Sequence, residues 1–232
     1  MQYLQETPLL DYHAISIQGL IQTRKWGELD TFHRIQAVYN FVKDEILFGY
    51  NQKDALSASI ILKDGYGQCN TKSILFMALL RALDIPCRIH GYTIDKKIQK
   101  GAMTGLTYLK APQEILHSVV EVHYDHHWIQ LEGLILDSQY LENLQKKFCV
   151  ETNAPFMGYG VATQDFSHPQ VEFIGTDTYI QKDGIVRDLG IYENPDELFQ
   201  KYQQALGKIK KWIYEHFSRK RMNKNIEKIR KL

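Results

Sequence analysis

The stretch that decides the fold runs from residue 65 to residue 89 and reads GYGQCNTKSILFMALLRALDIPCRI. Gly65-Tyr66-Gly67 is a turn, because two glycines in three residues supply unrestricted φ angles. From Ile74 to Leu80 every residue is apolar, and only Arg81 interrupts before Ala82 and Leu83. A helix that is apolar nearly all round belongs inside a core. Asp84-Ile85-Pro86 ends it, since a residue before proline is driven out of the α region. Cys87 to Ile94 then alternates as a strand does. Cys69 therefore sits between a glycine turn and the first turn of a buried helix.

That position has chemical consequences. The thiolate, not the thiol, is the nucleophile. The unpaired N–H groups and the positive end of a helix favour a negative sulfur there. The backbone N–H of Cys69 can also point at an oxyanion, and the preceding glycines leave room for a substrate backbone.

Working outward, residues 30–48 carry Ile35, Val38, Tyr39, Val42 and Ile46 at helical spacing. Asp30 or Thr31 can cap that helix and Gly49 can stop it. Residues 54–63 read as a second short helix. Residues 95–112 read as a loop. His117 to Tyr124 is a strand, 125–127 a turn, and Trp128–Leu131 and Leu134–Leu136 are strands, giving a hairpin. Helices come first and strands follow, which points to an α+β protein. Residues 137–190 mix polar turns with short apolar runs and specify no element clearly. Asn194-Pro195-Asp196 starts a further helix over 197–217, with Ile209, Trp212, Ile213, His216 and Phe217 on one face.

The candidate base is His117, at the start of a strand beside the helix tip. A third group must hold its tautomer, and the next strand offers Glu132 and, beyond Gly133, Asp137. Gln68 is a candidate oxyanion donor, and Tyr66 and Trp128 are candidate cleft walls. Cys87 and Cys149 read as packing residues. His123 shares a face with His117, but two histidines without a clustered third ligand do not make a metal site. No cofactor or metal is called for.

The 232 residues are 44% hydrophobic and 24% charged, enough to bury a core without staples. Three cysteines and no CxxC pair argue against a disulfide framework or a zinc knuckle. The amino-terminal MQYLQETPLLDYHAI does not read as a secretory signal, and no run reaches the roughly 18 apolar residues of a spanning helix. A reducing cytoplasm is the expected location. Net charge is +1, unevenly spread. Residues 207–232 carry ten Lys or Arg against Glu215 and Glu227, leaving the body at −7. Such a segment suggests an anionic partner or an acidic face of the body itself. Nucleic acid is disfavoured, because no stacking aromatics interleave the charges of 218–232.

The Gly-x-Cys turn, the helix ending Leu80-Arg81-Ala82-Leu83-Asp84-Ile85-Pro86-Cys87-Arg88, the strand His117–Val122 and the strand Trp128–Leu131 together resemble the transglutaminase-like superfamily. The resemblance covers roughly residues 55–137. It implies a cysteine-proteinase-like fold, with the nucleophile-bearing buried helix packed on an antiparallel sheet. It assigns Cys69 as nucleophile and His117 as base. The family's third residue is usually an aspartate four places after the strand tryptophan; here that position holds Glu132, with Asp137 as the alternative. Asp84 also stands where the family prefers glycine, and aspartate can adopt the same left-handed turn.

The expected activity is acyl transfer on an amide of a peptide or protein, as a peptidase or amidase or as a transglutaminase. The rival expectation is a catalytically silent interaction module on the same fold. The expected organisation is one domain over 1–206, with core motifs at 55–137 flanked by 1–54 and 138–206, and a basic helix or tail at 207–232.

Overall fold

A computed structural model describes residues 2–148, 154–202 and 217–232. Helices α1 (Ile15–Arg24) and α2 (Thr31–Asp44) lead into a two-residue strand β1 (Leu47–Phe48). Helix α3 (Ala58–Asp64), strand β2 (Tyr66–Gly67) and helix α4 (Cys69–Ala82) follow. Asp30 caps α2, its carboxylate accepting the His33 N–H at 3.0 Å. The α2 pattern extends in sequence to Ile46, yet the helix stops at Asp44. Its last residues are claimed by a parallel ladder instead: Leu47 N–H donates to Gly65 O and Gly49 N–H to Gly67 O, both at 3.0 Å. Backbone groups committed to a neighbouring strand cannot also close helical turns.

Helix α4 is the axis of the fold. Its residues Cys69 to Arg81 are all buried, and it packs against α2, α3 and the main sheet. The turn after it uses Asp84 in the left-handed region, with φ of 59°. Ile85 N–H there returns to Leu80 O at 3.0 Å and satisfies the helix end.

The main sheet is antiparallel, in the order β5 (His127–Leu131), β4 (Glu114–Tyr124), β3 (Cys87–Asp95) and β8 (Ile185–Tyr192). Asp125 and His126 both take positive φ, and they form the tight β4–β5 hairpin turn. β4 is buried on both faces from Leu116 to Val122, so its polar residues need partners inside the protein. The expected strand at 134–136 is a 3₁₀ turn at Gly133–Ile135, and the expected loop at 95–112 contains helix α5 (Gly105–Lys110). The segment that resisted reading forms helix α6 (Ser138–Phe148), a small hairpin β6 (Phe156–Gly158) and β7 (Val161–Thr163), and the edge strand β8.

Helix α7 (Pro195–Lys201) begins at the Asn194 cap as expected, with Asn194 Oδ1 accepting Glu197 N–H at 3.0 Å. The predicted apolar face at Ile209, Trp212, Ile213 and His216 lies outside the described residues, as does Cys149; Phe217 is exposed. The basic segment ends in helix α8 (Arg219–Arg230), which lays Met222, Ile226 and Ile229 into the body beside Tyr140 and Leu144. Arg230 turns inward and pairs with Asp137, while Lys220, Arg221, Lys224, Lys228 and Lys231 face solvent. Among the described residues no helix is long and apolar enough to cross a membrane.

Candidate active site

Cys69 is the first residue of α4, and the local sequence explains why the helix starts there. Gln68 is its cap, and Thr71 Oγ1 accepts the Gln68 N–H at 3.0 Å. Asn51, from the loop after β1, locks this turn from outside. Its N–H donates to Gln68 Oε1 at 2.8 Å and its Oδ1 accepts the Thr71 hydroxyl at 2.7 Å. The two glycines differ in purpose. Gly65 has φ of 71° and closes α3 in the left-handed region. At Gly67 a Cβ would fall 2.7 Å from Thr71 Oγ1 and 2.9 Å from Lys72 Cγ. The space expected for a substrate backbone at Gly67 is filled by the helix's own first turn.

His117 comes from β4, paired opposite Tyr92 of β3. It is fully buried. Its Nε2 lies 2.8 Å from Glu132 Oε1, so Nε2–H donates to that carboxylate. With Nε2 committed, Nδ1 is the ring atom left for the sulfur. Nδ1 is buried and makes no hydrogen bond of full geometry; Cys69 acts on the ring as a nearby charge and a loose contact. Burial alone would lower the imidazole pKa. The neighbouring Cys69 side chain, through its charge above all, and the Glu132 carboxylate outweigh that, and the ring is pushed up to about 10.

Glu132 is itself held firmly. Its Oε2 accepts the N–H groups of Ile180 and Gln181 at 2.9 and 3.0 Å, and its own N–H donates to Thr178 O. The loop at 178–181 thus fixes the longer acid against His117, although nothing in the linear sequence marks it as part of the site. Asp137, the alternative third member, is placed elsewhere. It caps α6 through Tyr140 N–H, accepts Phe48 N–H at 2.9 Å, and pairs with Arg230 at 2.7 Å. Burial would raise the Asp137 pKa, but the Arg230 guanidinium holds it below the usual carboxylate value.

The sulfur opens onto a cavity of about 550 Å³. Its walls are mostly apolar and include Phe48, Tyr50, Met103, Leu116, Phe199 and Met222. Gln68, Asn70 and Gln181 also reach it. Asn70 ties the helix tip to β4, its Nδ2 donating to Leu116 O and its Oδ1 accepting the Ser118 hydroxyl. Of the expected cleft residues, Gln68 lines the cavity, whereas Tyr66 and Trp128 do not. Tyr66 sits in β2 with its hydroxyl toward Arg219. The Trp128 ring lies under the Arg88 guanidinium at 4.0 Å and edge-on to Tyr3; the β5 pairing that places Glu132 turns Trp128 to the far end of the sheet. His123 packs edge-on against Trp128 rather than beside His117.

A search of curated proteins gives no match. Among solved structures, a presumed cysteine protease from Cytophaga hutchinsonii is 14% identical, with a TM-score of 0.47 over 84% of this chain and 47% of that one. Red sea bream transglutaminase is 17% identical, with a TM-score of 0.31 over 53% of this chain and 25% of that one. The chain thus spans about half the length of the first protein and a quarter of the second. A sequence profile of the transglutaminase-like superfamily core matches residues 21–133, from α1 to the turn just past Glu132. Residues 21–133, which bring Cys69, His117 and Glu132 to one place, are a domain of the transglutaminase-like superfamily.

Proposed function

We propose that this protein is a cysteine-dependent acyl-transfer enzyme acting on amide bonds. Membership of the superfamily supports a cysteine-dependent enzyme in general. The observation that carries the finer reading is the chain of contacts from Glu132 through a buried, basic His117 to a sulfur at a cavity wall.

Such a ring stays protonated at neutral pH and favours the thiolate beside it. The Cys69 sulfur attacks the amide carbonyl carbon, forming a C–S bond and an oxyanion. The helix-tip N–H groups and the Gln68 amide face that oxyanion. As the tetrahedral adduct collapses, the C–N bond breaks and the His117 imidazolium gives its Nδ1 proton to the leaving amine. Water or a second amine then attacks the thioester carbonyl, His117 takes the attacker's proton, and the C–S bond breaks to return the Cys69 thiolate. Water as acceptor gives a peptidase or amidase, which is the form we favour; an amine gives a transglutaminase. Glu132 acts through His117 as its positioning residue. The contact also weighs against a catalytically silent module, since the glutamate reaches the imidazole despite its extra methylene.

The test is to incubate the protein with a peptide-amide library and look for a hydroxylamine-labile mass adduct on the Cys69 peptide. The reading requires that adduct in the wild type and none in Cys69→Ala. Absence of both adduct and turnover across the library, with the thiol intact, sinks it. The mechanism needs a reduced thiol, so the compartment we propose is a reducing one, the cytoplasm being the simplest choice. An anionic partner for the solvent face of α8 is a separate proposal, tested by heparin retention that Lys224→Glu/Lys228→Glu should abolish.

A further inference from the structure

One acid in the cavity has no role in the chemistry above. Asp54 lies in the loop between β1 and α3 and faces the same cavity as the Cys69 sulfur. Gln68 Nε2 donates to its Oδ1 at 3.0 Å, and the Asn70 amide donates to it as well. These are the residues on either side of the nucleophile. Both donors are neutral amides, and no cation pairs with Asp54 among the described residues. Among the described residues that line the cavity, it is also the one acid.

A carboxylate in this position is costly for the fold. Asp54 is half-buried, and that burial raises its pKa above the ordinary value, the Gln68 and Asn70 amides only partly opposing. Neutral amides could be held equally well by a neutral acceptor. A carboxylate has more acceptor sites than two donors fill, and the remaining ones open onto largely apolar walls. An acid kept unpaired beside a reactive group is a functional-site feature more often than a structural one. What it lacks is a positive charge. The nearby lysines do not supply it, because Lys53 and Lys110 stand exposed at the mouth.

We propose that Asp54 is a subsite for a protonated nitrogen on the substrate, so that the preferred amide carries a basic side chain next to the bond that Cys69 attacks. This rests on the acyl-transfer reading. The ammonium or guanidinium completes the ion pair at Asp54 inside the cavity, where water competes weakly. The apolar walls take the aliphatic stem of the same side chain, as such stems commonly pack.

The experiment uses the full chain and three thiol reagents of similar size: 2-aminoethyl methanethiosulfonate (cationic), propyl methanethiosulfonate (neutral) and 2-sulfonatoethyl methanethiosulfonate (anionic). In each case the Cys69 sulfur displaces methanesulfinate and forms a mixed disulfide. Rates are read by mass spectrometry on the Cys69 peptide. The cationic reagent should outpace the neutral one by about tenfold at low salt, and the anionic one should be slowest. Asp54→Asn should bring the cationic-to-neutral ratio near one, and Lys53→Gln should leave it equal or higher. Equal rates for all three reagents in the wild type, or an anionic preference, overturns the subsite. An unchanged ratio in a folded Asp54→Asn overturns it too. Should that variant not fold, the wild-type ratio and its loss in high salt decide the matter alone. If the neutral reagent modifies Cys69 no faster than Cys87, the acyl-transfer reading falls and the subsite falls with it, an outcome distinct from a reactive Cys69 without charge preference.

Discussion

One cysteine begins α4 and another begins the strand that follows it, and the protein treats them in opposite ways. At the amino-terminal end Cys69 is 9% exposed, opens onto a cavity and has the His117 imidazole beside it. Just beyond the carboxyl-terminal turn, Cys87 has no exposure, and its thiol points at Met77 O, 3.6 Å away. Burial pushes the Cys87 thiol up to about 11, and Arg81 only partly offsets this. The same side chain is thus a candidate nucleophile at one end and a small hydrophobe at the other. An imidazole neighbour and an opening to solvent make the difference.

The widest contrast should appear in alkylation. At pH 7.5 iodoacetamide should modify Cys69 ~hundredfold faster than Cys87, because the Cys87 thiol is pushed up to about 11, holds very little thiolate and has no exposure. Mass spectrometry of the two peptides measures this, and the gap should close in urea. Equal rates in the native protein would erase the comparison.

Removing the imidazole should shrink the contrast next. His117→Gln is expected to slow Cys69 acylation by about 10²–10⁴-fold while leaving Cys87 unchanged. The same variant carries a pH signature in stability. The folded-state pKa of His117 is raised, so its contribution is fully present below about 6.5 and is lost as pH climbs toward about 10. The stability difference between wild type and His117→Gln, from urea curves, should therefore shrink across that window. A difference that grows with pH would mean the ring is neutral in the fold.

The two acids proposed for the third position separate in a third measurement. Arg230→Ala leaves the Asp137 charge buried without its partner and should cost roughly 3–5 kcal/mol of stability. It should leave the Cys69-to-Cys87 reactivity ratio of the folded protein nearly unaltered. Glu132→Gln should do the reverse. It keeps most of the packing, loses about 1–3 kcal/mol where an amide N–H₂ replaces an oxygen facing two N–H groups, and lowers the ratio. If Arg230→Ala lowered the ratio as much, Asp137 would belong to the site.

The smallest effect concerns the turn that aims the helix. Gly67→Ala should destabilise by about 1–3 kcal/mol, because the added methyl meets Thr71 and Lys72. Gly65→Ala should cost less, since nothing crowds a Cβ there and only the positive φ is strained. Chemical denaturation of both variants gives the order.

The comparison also separates what could be read from residues alone. The buried run Ile74–Leu80 and the break at Pro86 gave α4 its place, because an all-round apolar helix has no other stable environment. Asp84 met its left-handed turn as expected. The β4–β5 hairpin was visible through its turn. The segment at 137–190 was not legible, since its strands are short and its loops are ordered by distant partners such as Glu132 and Gly160. Lys72 lies one turn past Cys69 and is wholly buried, yet nothing nearby in sequence predicts it. Its Nζ is held by Lys43 O and Ile135 O, and burial draws its pKa down to about 7. The basic segment read as a helix or tail; its helix uses apolar residues at i, i+4 and i+7 to seal the body.

The sequence by itself determined which helix is buried, which cysteine begins it and which histidine lies in the facing strand, though that strand starts at Glu114 and not at His117, because periodicity and turn chemistry are local properties. The tertiary structure alone decided that Glu132 and not Asp137 reaches His117, that Trp128 and Tyr66 stand away from the cavity, and that Asp54 looks into it. Those choices depend on backbone groups contributed by Ile180 and Gln181 and on a guanidinium 93 residues from Asp137, and contacts across such separations leave no pattern in the chain that makes them.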